Sequence, residues 1–200
     1  MKEVVLASNN LGKLNELNSI LEPLGLRTMP QSSFGVIEAE ETGLTFVENA
    51  ILKARNAAQY TDHPVIADDS GLEVDFLKGE PGIYSARYAG PMAKDPENNQ
   101  KLMQLMEGVP SKLRGARFRC VLVFMRHSKD PSPIIAQGIW EGQIAERPSG
   151  RDGFGYDPLF LIPSLGRTVA ELPHNQKNDI SHRAQALRVL ADQLSGLGLL

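Results

Sequence analysis

Short apolar runs alternate along this chain with stretches of helical periodicity. That alternation restricts the fold to α/β or α+β, because strands and helices must bury their apolar sides against one another. Val4 to Ala7 reads as a buried first strand. Leu11, Leu14, Leu17 and Leu21 follow at helical spacing, with Asn9 and Asn10 as candidate caps and Pro23 and Gly25 as the stop. Leu26 to Met29 reads as a second strand and 30–44 as loop. Thr45-Phe46-Val47-Glu48 has the form of a capping box, and it opens an Ala-rich helix to Tyr60 that His63-Pro64 breaks.

Val65 to Ala67 starts a further strand that ends at Asp68-Asp69-Ser70-Gly71, with Leu72 to Val74 able to continue the sheet. Asp95-Pro96-Glu97 predicts a helix start, Asp capping and Pro in the first turn, running to about Glu107. Arg117 to Met125 and Ile134 to Trp140 predict adjacent strands joined around Asp130-Pro131, and Gln143 to Glu146 a short one. Gly150 to Asp157 is a Gly-rich loop with a strand, Leu159 to Leu161, behind it. The last helix is expected from about Ile180 to Leu194, with Ala184, Leu187, Leu190 and Leu194 inward. No repeat or long linker divides the 200 residues, and one domain over 1–200 is enough to enclose a core.

Basic residues number 21 against 24 acidic, a net charge of −3, so the basic surplus of a nucleic-acid-polymer binder is missing. A nucleotide needs only a few local cations. Cys120 is the single cysteine and lies in the apolar run Phe118 to Phe124. It reads as a buried thiol, which fits a reducing compartment. The opening residues lack the basic region, apolar stretch and cleavage site of a signal peptide. No apolar run approaches the ~20 residues of a membrane span. A cytoplasmic protein without a membrane partner is the expectation.

Five groups of residues carry candidate chemistry. Ser8-Asn9-Asn10-Leu11-Gly12-Lys13 joins a strand to a helix, where free amides, the dipole, a hydroxyl and a lysine suit phosphate. Plain capping beside a solvated lysine explains the same residues equally well, and the glycine spacing is not that of a Walker A loop. Glu40-Glu41 and Asp68-Asp69 supply oxygen ligands for a hard cation such as magnesium. Adjacent carboxylates repel unless a cation is near, and in a strand Asp68 and Asp69 point to opposite faces. Acidic loop ends facing water are the competing reading, favoured for Glu40 and Glu41.

Asn49 and Lys53 share a helix face, which serves a phosphate or an ordinary amphipathic helix. Gly153-Phe154-Gly155-Tyr156-Asp157-Pro158 offers an aromatic that can stack on a base or plug the core. Lys177 and Ser181-His182-Arg183 concentrate hydrogen-bond donors suited to carbonyl oxygens or phosphate, and a basic helix start on the surface is the alternative.

Taken together, SNNLGK at 8–13, EETGLTFVENAILKA at 40–54, ADDSGL at 67–72, GEPGIYSARYAG at 79–90, GFGYDPLF at 153–160 and ISHRAQAL at 180–187 resemble the inosine triphosphate pyrophosphatase (Ham1-like) family. The bacterial dITP/XTP branch is the nearest in kind. The segments cover most of the chain in family order, and that order makes the resemblance specific. It implies an α/β fold: a long mixed twisted sheet with helices forming two lobes around a central cleft. It implies hydrolysis of ITP, dITP or XTP to the monophosphate and pyrophosphate, with Mg2+ as cofactor and a homodimer as the assembly.

Residue by residue, the resemblance implies that Ser8, Asn9, Asn10, Leu11, Gly12 and Lys13 grip the triphosphate with Lys53 nearby. Glu40 and Asp69 would hold the metal, with Glu41 the alternative to Glu40, and Asp69 would be the general base. Ser70 would lie beside the substrate, Phe154 would stack on the base, and Gly155, Tyr156 and Asp157 would complete its pocket. Lys177, His182 and Arg183 would read the purine edge. Ser8 stands where many relatives carry Thr, and the hydroxyl survives.

Overall fold

The structure is a computed structural model that describes residues 2–198, the side chain of Leu11 excepted. In chain order its main elements are β1 (Lys2–Leu6), α1 (Leu11–Leu21), β2 (Leu26–Pro30), α2 (Phe46–Ala57), β3 (Val65–Val74) and α3 (Asp95–Leu105). Then come β4 (Gly115–Met125), β5 (Ile134–Ile144), β6 (Phe160–Ile162), β7 (Arg167–Thr168), α4 (His174–Ile180) and α5 (His182–Gly196). The strands form one sheet in the order β2-β1-β3-β4-β5-β6-β7. β1 runs parallel to β2 and β3, whereas β6 is antiparallel to β5 and β7, so the sheet is mixed as expected.

The chain divides into two compact units, and β3, β4 and β5 contribute residues to both. One unit takes the chain up to Asp69, Cys120–Gly138 and the segment from His182; the other takes Ser70–Arg119 and Ile139–Ser181.

In the first unit helices cover both sheet faces. Val4, Leu6, Ile66, Cys120, Leu122 and Phe124 pack against Leu14, Leu17 and Leu21 of α1 and Leu187, Leu190 and Leu194 of α5. Val5, Ala7, Val65, Ala67, Val121, Val123 and Met125 pack against Ala50, Ala54 and Ala57 of α2. Strands buried on both faces read as unbroken apolar runs, which is why residues 120–125 show no alternation. Ala at the three fully buried apolar positions of α2 lets that helix sit close to the strands, with Phe46, Val47 and Ile51 packing at the edge of the same cluster. Gly138 does the same for α5, since a Cβ there would collide with the carbonyl oxygen of His182.

The second unit is covered on one face only. Ala116 and Phe118 point inward with Leu72, Val74, Trp140, Ile144 and Phe160. The intervening Arg117 and Arg119 face outward into pairs with Asp75 (2.8 Å), Glu141 (3.0 Å) and Glu73 (2.8 Å). Arg114 is buried and has no carboxylate partner among the described residues. It donates instead to the carbonyls of Ile144 (2.7 Å), Met106 (2.8 Å), Ala145 (2.9 Å) and Val109 (3.2 Å). A fixed fork of five donors can satisfy that many acceptors at once, and so it ties the end of α3 to β5.

Several local expectations are corrected. β3 does not stop at Asp68-Asp69-Ser70-Gly71 but runs through it, so the acidic pair lies in mid-strand. β5 continues to Ile144 and absorbs the first half of the separate strand expected over Gln143 to Glu146. Asp95 is the first residue of α3 rather than its cap; the Lys94 amide donates to Glu97 (2.9 Å) and the Asp95 carboxylate is used elsewhere. α2 ends at Ala57, with turns carrying the chain to Tyr60. α4 and the two-residue β7 were not foreseen, and α5 begins at His182 instead of Ile180.

The β4–β5 connection in the first unit depends on one buried carboxylate. Asp130 is 1% exposed and accepts from the Arg126 amide (3.0 Å), the Arg126 guanidinium (2.6 and 2.8 Å) and the Ser132 amide (3.0 Å). The Arg126 hydrogen bonds hold its carboxyl well below the usual carboxylate range. A depressed folded-state pKa contributes stability that is present above the unfolded value, about 3.9, and is lost as pH falls toward the folded one. The urea midpoint of the wild type should therefore exceed that of Asp130→Asn by most near neutral pH. The gap should narrow steadily below about pH 4, and a gap independent of pH would contradict this account.

Candidate active site

The charged groups of the first unit converge on the middle of β3. Because a strand alternates, Asp68 faces α1 and α5 while Asp69 faces α2, as the period predicts. Asp68 is 2% exposed. Its carboxylate meets Lys13 Nζ, accepts from Cys120 Sγ at 3.2 Å and lies 3.6 Å from Arg183 Nε. Burial alone would raise its pKa, but Lys13, Arg183 and Lys53 outweigh burial and hold it well below the carboxylate range. The same burial pushes the Cys120 thiol far up, so it remains a neutral donor. Arg183 is buried too, and its Nη1 bonds Glu16 at 2.6 Å.

The start of α1 positions Lys13. Asn10 is the cap, its Oδ1 accepting from the Lys13 amide at 3.0 Å, and the Asn10 amide donates to Ser8 Oγ at 3.2 Å. Asn9 reaches Glu38 at 2.7 Å. Gly12 sits in the first turn, and the side chain of Leu11 lies outside the described residues. Capping is therefore real at Asn10, and it leaves Lys13 directed inward at Asp68 rather than solvated.

On the other face Lys53 Nζ lies 2.6 Å from Asp69 Oδ1 and 3.1 Å from Glu41 Oε1. Burial would lower the lysine pKa, yet Asp69, Asp68 and Glu41 raise it above its ordinary value. Asp69 moves up: burial raises it more than Lys53 draws it down. Its second oxygen, Oδ2, is buried with no hydrogen-bond partner among the described residues. Glu41 is brought here by α2, whose Asn49 Oδ1 accepts from the Gly43 amide (2.9 Å) and whose Glu48 accepts from the Leu44 amide (2.8 Å). Glu40 is exposed. Of the two glutamates, the one that joins Lys53 and Asp69 is thus Glu41.

A separate group forms in the second unit. Asp157 Oδ2 accepts from Lys177 Nζ (2.7 Å) and from the Phe154 amide (2.9 Å), and the ammonium stands 4.5 Å from the Phe154 ring centroid. Tyr156 is buried and donates to the Ser85 carbonyl at 2.8 Å, so this aromatic belongs to the core. Asp157 is buried, Gly155 half-buried, and Ser70 half-buried on β3. Lys177 lies on α4, while His182 and Arg183, both buried, open α5 in the first unit.

Glu16, Asp95 and Asn99 were not singled out by sequence reasoning. Glu16 had a usable signal, since it lies one turn beyond Lys13 on the same helix face. The partners of the other two are about sixty residues away in the chain.

Fold and site together define an α/β protein with a mixed sheet in which an interior strand, β3, carries a lysine-compensated carboxylate pair. A profile of the Ham1 family matches residues 4–193. The chain belongs to the Ham1 family. A dITP/XTP pyrophosphatase of Thioalkalivibrio sulfidiphilus is 58% identical, covering 97% of this chain and 99% of that relative. The protein of that name from Escherichia coli is 57% identical over 97% and 98% of the two chains. Among solved structures, a HAM1 protein from Coxiella burnetii superposes with TM-score 0.91 at 49% identity, covering 98% of this chain and all (100%) of that one. The Staphylococcus aureus Ham1 protein gives TM-score 0.87 at 44% identity, with 98% and 100% coverage.

The approach of the 40–44 segment to α2 requires a residue without a side chain at position 43. A Cβ there would lie 2.6 Å from Glu48 Cβ and 2.7 Å from Asn49 Oδ1. Gly43→Ala should cost about 1–3 kcal/mol by overpacking, read from the urea midpoint, and should displace Glu41 from Lys53. An unchanged midpoint would contradict it.

Proposed function

We propose that this protein hydrolyses non-standard purine nucleoside triphosphates (ITP, dITP and XTP) to the monophosphate and pyrophosphate, removing them from the nucleotide pool. The observation that carries the reading is the Asp69–Lys53–Glu41 arrangement with its unpartnered carboxylate oxygen, in a family whose relatives bear the name dITP/XTP pyrophosphatase. The profile match runs through both units, which supports one functional domain over 1–200.

The donor set fits magnesium. This ion takes hard oxygen ligands and uses one or two carboxylates, completing its shell with water and substrate phosphate. Asp69 Oδ2, buried and without a donor, is such an oxygen, and Glu41 supplies a second carboxylate; the assignment to Glu40 is thereby replaced as the preferred one. Bound there, magnesium would neutralise phosphate charge and polarise the α-phosphoryl group.

This chain's own residues supply the rest. Water attacks the α-phosphorus and passes its proton to Asp69, whose raised proton affinity suits a general base. The bond from the α-phosphorus to the bridging oxygen breaks, and its electron pair leaves with pyrophosphate. Lys53 and Lys13 offset the departing charge, while the α1 N-terminus with Ser8, Asn9, Asn10, Leu11 and Gly12 binds phosphate oxygens. Ser70 lies beside the substrate and Phe154 stacks on the base.

Lys177, His182 and Arg183 donate to the 6-carbonyl of hypoxanthine or xanthine, and donors facing the 6-amino group of adenine would be left unpaired. Both Lys177 and Arg183 are buried and already carboxylate-anchored, so their orientation costs little on binding. The reading includes a cytoplasmic homodimer. Among the described residues no helix is long and apolar enough to cross a membrane. Light scattering should return twice the 21.9 kDa chain mass, and a monomer would remove that part of the proposal.

With magnesium and ITP, dITP or XTP the purified protein should release pyrophosphate and monophosphate, and with ATP or GTP very little. Asp69→Asn should lower kcat by roughly 10²–10⁴-fold, the range of a general base, while a native circular dichroism spectrum at the assay temperature shows the fold retained. Orthophosphate as the sole inorganic product, or near wild-type turnover by Asp69→Asn, would overturn the mechanism.

A further inference from the structure

Gly155 is held by two side chains from outside its own loop. Asp95 Oδ2 accepts from the Gly155 amide at 2.6 Å, and Asn99 Nδ2 donates to the Gly155 carbonyl at 2.9 Å. Asp95 and Asn99 are four residues apart and share one face of α3, so a single helical turn grips both polar groups of one residue. Neither bond is ordinary helix capping. The capping bond belongs to Glu97 and the Lys94 amide, and the Asp95 carboxylate bridges sixty residues of sequence instead.

The consequence falls on Phe154. Its own amide is fixed by Asp157 at 2.9 Å, and its carbonyl accepts from the Asp157 amide at 3.3 Å. The Gly155 amide belongs to the peptide unit that follows Phe154, so Asp95 fixes that plane as well. Asn99 then fixes the next plane. Gly155 turns the chain at φ +60°, which glycine adopts at no steric cost, so the backbone alone leaves the turn free to vary and the two side-chain bonds are what fix it.

The support is itself rigid. Asn98, buried on the same helix, accepts from the Ala89 amide (2.8 Å) and donates to the Ala86 carbonyl (3.1 Å). Tyr156 is anchored on Ser85 of the same 82–89 stretch.

We infer that Asp95 and Asn99 are positioning residues for nucleobase recognition: by clamping Gly155 they set the plane from which the Phe154 ring projects. The inference rests on the reading of Phe154 as the base-stacking residue. The substrate contact is made by Phe154; Asp95 and Asn99 act through it.

The test is steady-state kinetics on ITP for Asn99→Ala, Asp95→Ala, Asp95→Asn, Phe154→Ala and the double variant Asn99→Ala/Phe154→Ala. Asn99→Ala and Asp95→Ala should each raise KM roughly three- to tenfold, the size of one ordinary hydrogen bond, with kcat within about twofold. Asp95→Asn should recover most of the KM, because an amide oxygen still accepts from the Gly155 amide. In the double variant the loss of Asn99 should add nothing to the loss of the ring.

A raised KM in Phe154→Ala with no change in the Asn99 and Asp95 variants overturns the clamp and leaves the stacking reading standing. Full additivity in the double variant also overturns it, since the effect would not pass through Phe154. An unchanged KM in Phe154→Ala removes the stacking reading, and the inference falls with it. If Asp95→Ala melts early, Asn99→Ala and Asp95→Asn still decide the question.

Discussion

Two adjacent carboxylates in the middle of a doubly covered strand are the constraint on which the first unit depends. Asp68 and Asp69 are 2% and 6% exposed, and ionised groups so buried are costly unless cations meet them. The strand sends them to opposite faces, so each face must bring its own cation: Lys13 and Arg183 from α1 and α5, Lys53 from α2. The helices that cover the sheet are therefore also the carriers of its counter-charges. Removing one partner from such a pair costs about 3–5 kcal/mol because the other is left stranded. Packing and charge here are the same set of contacts.

The two carboxylates nevertheless end in different states. Asp68 has two cations on its own face, Lys13 and Arg183, with Lys53 adding from the other, and is held firmly ionised, with the Cys120 thiol adding a neutral donor. It is an anchor. Asp69 has Lys53 on one oxygen only, keeps the other without a donor, and has its proton affinity raised. Neighbours in sequence thus divide into a structural ion and a group able to exchange a proton or meet a metal, and the division comes from the number of cations on each face. Ion pairs at Lys177–Asp157 and Arg183–Glu16 follow the anchoring pattern in holding a buried cation in one place.

Much of this was legible in the chain because it is written locally. The leucine spacing of α1, the Thr45 cap of α2 and the apolar run of β4 depend on neighbours a few residues away. The opposite facing of Asp68 and Asp69 follows from a period of two. Failures came where local signals were weak or misleading. Asp and Gly are poor strand formers, so local propensity predicts a break at the acidic motif with Leu72 to Val74 able to resume, whereas pairing within the sheet carries β3 unbroken to Val74. α4 is a seven-residue helix of mostly polar residues, too short to show a period. The Pro after Asp95 suggested a cap at Asp95, but the helix starts one residue earlier and releases that carboxylate for Gly155.

By itself the sequence limited the fold to α/β or α+β, and the order of its motifs selected α/β through the family resemblance. Propensity, period and spacing, acting over one or two turns, set the order of the main elements and the residue types available for handling phosphate. Tertiary structure alone decided which of Glu40 and Glu41 meets Lys53, that Arg183 answers Glu16 across 167 positions, and that α3 holds the Phe154 loop. These are contacts between distant segments. They exist only once buried apolar faces have brought the elements together, and no short-range pattern encodes which polar atoms will then lie within hydrogen-bonding distance.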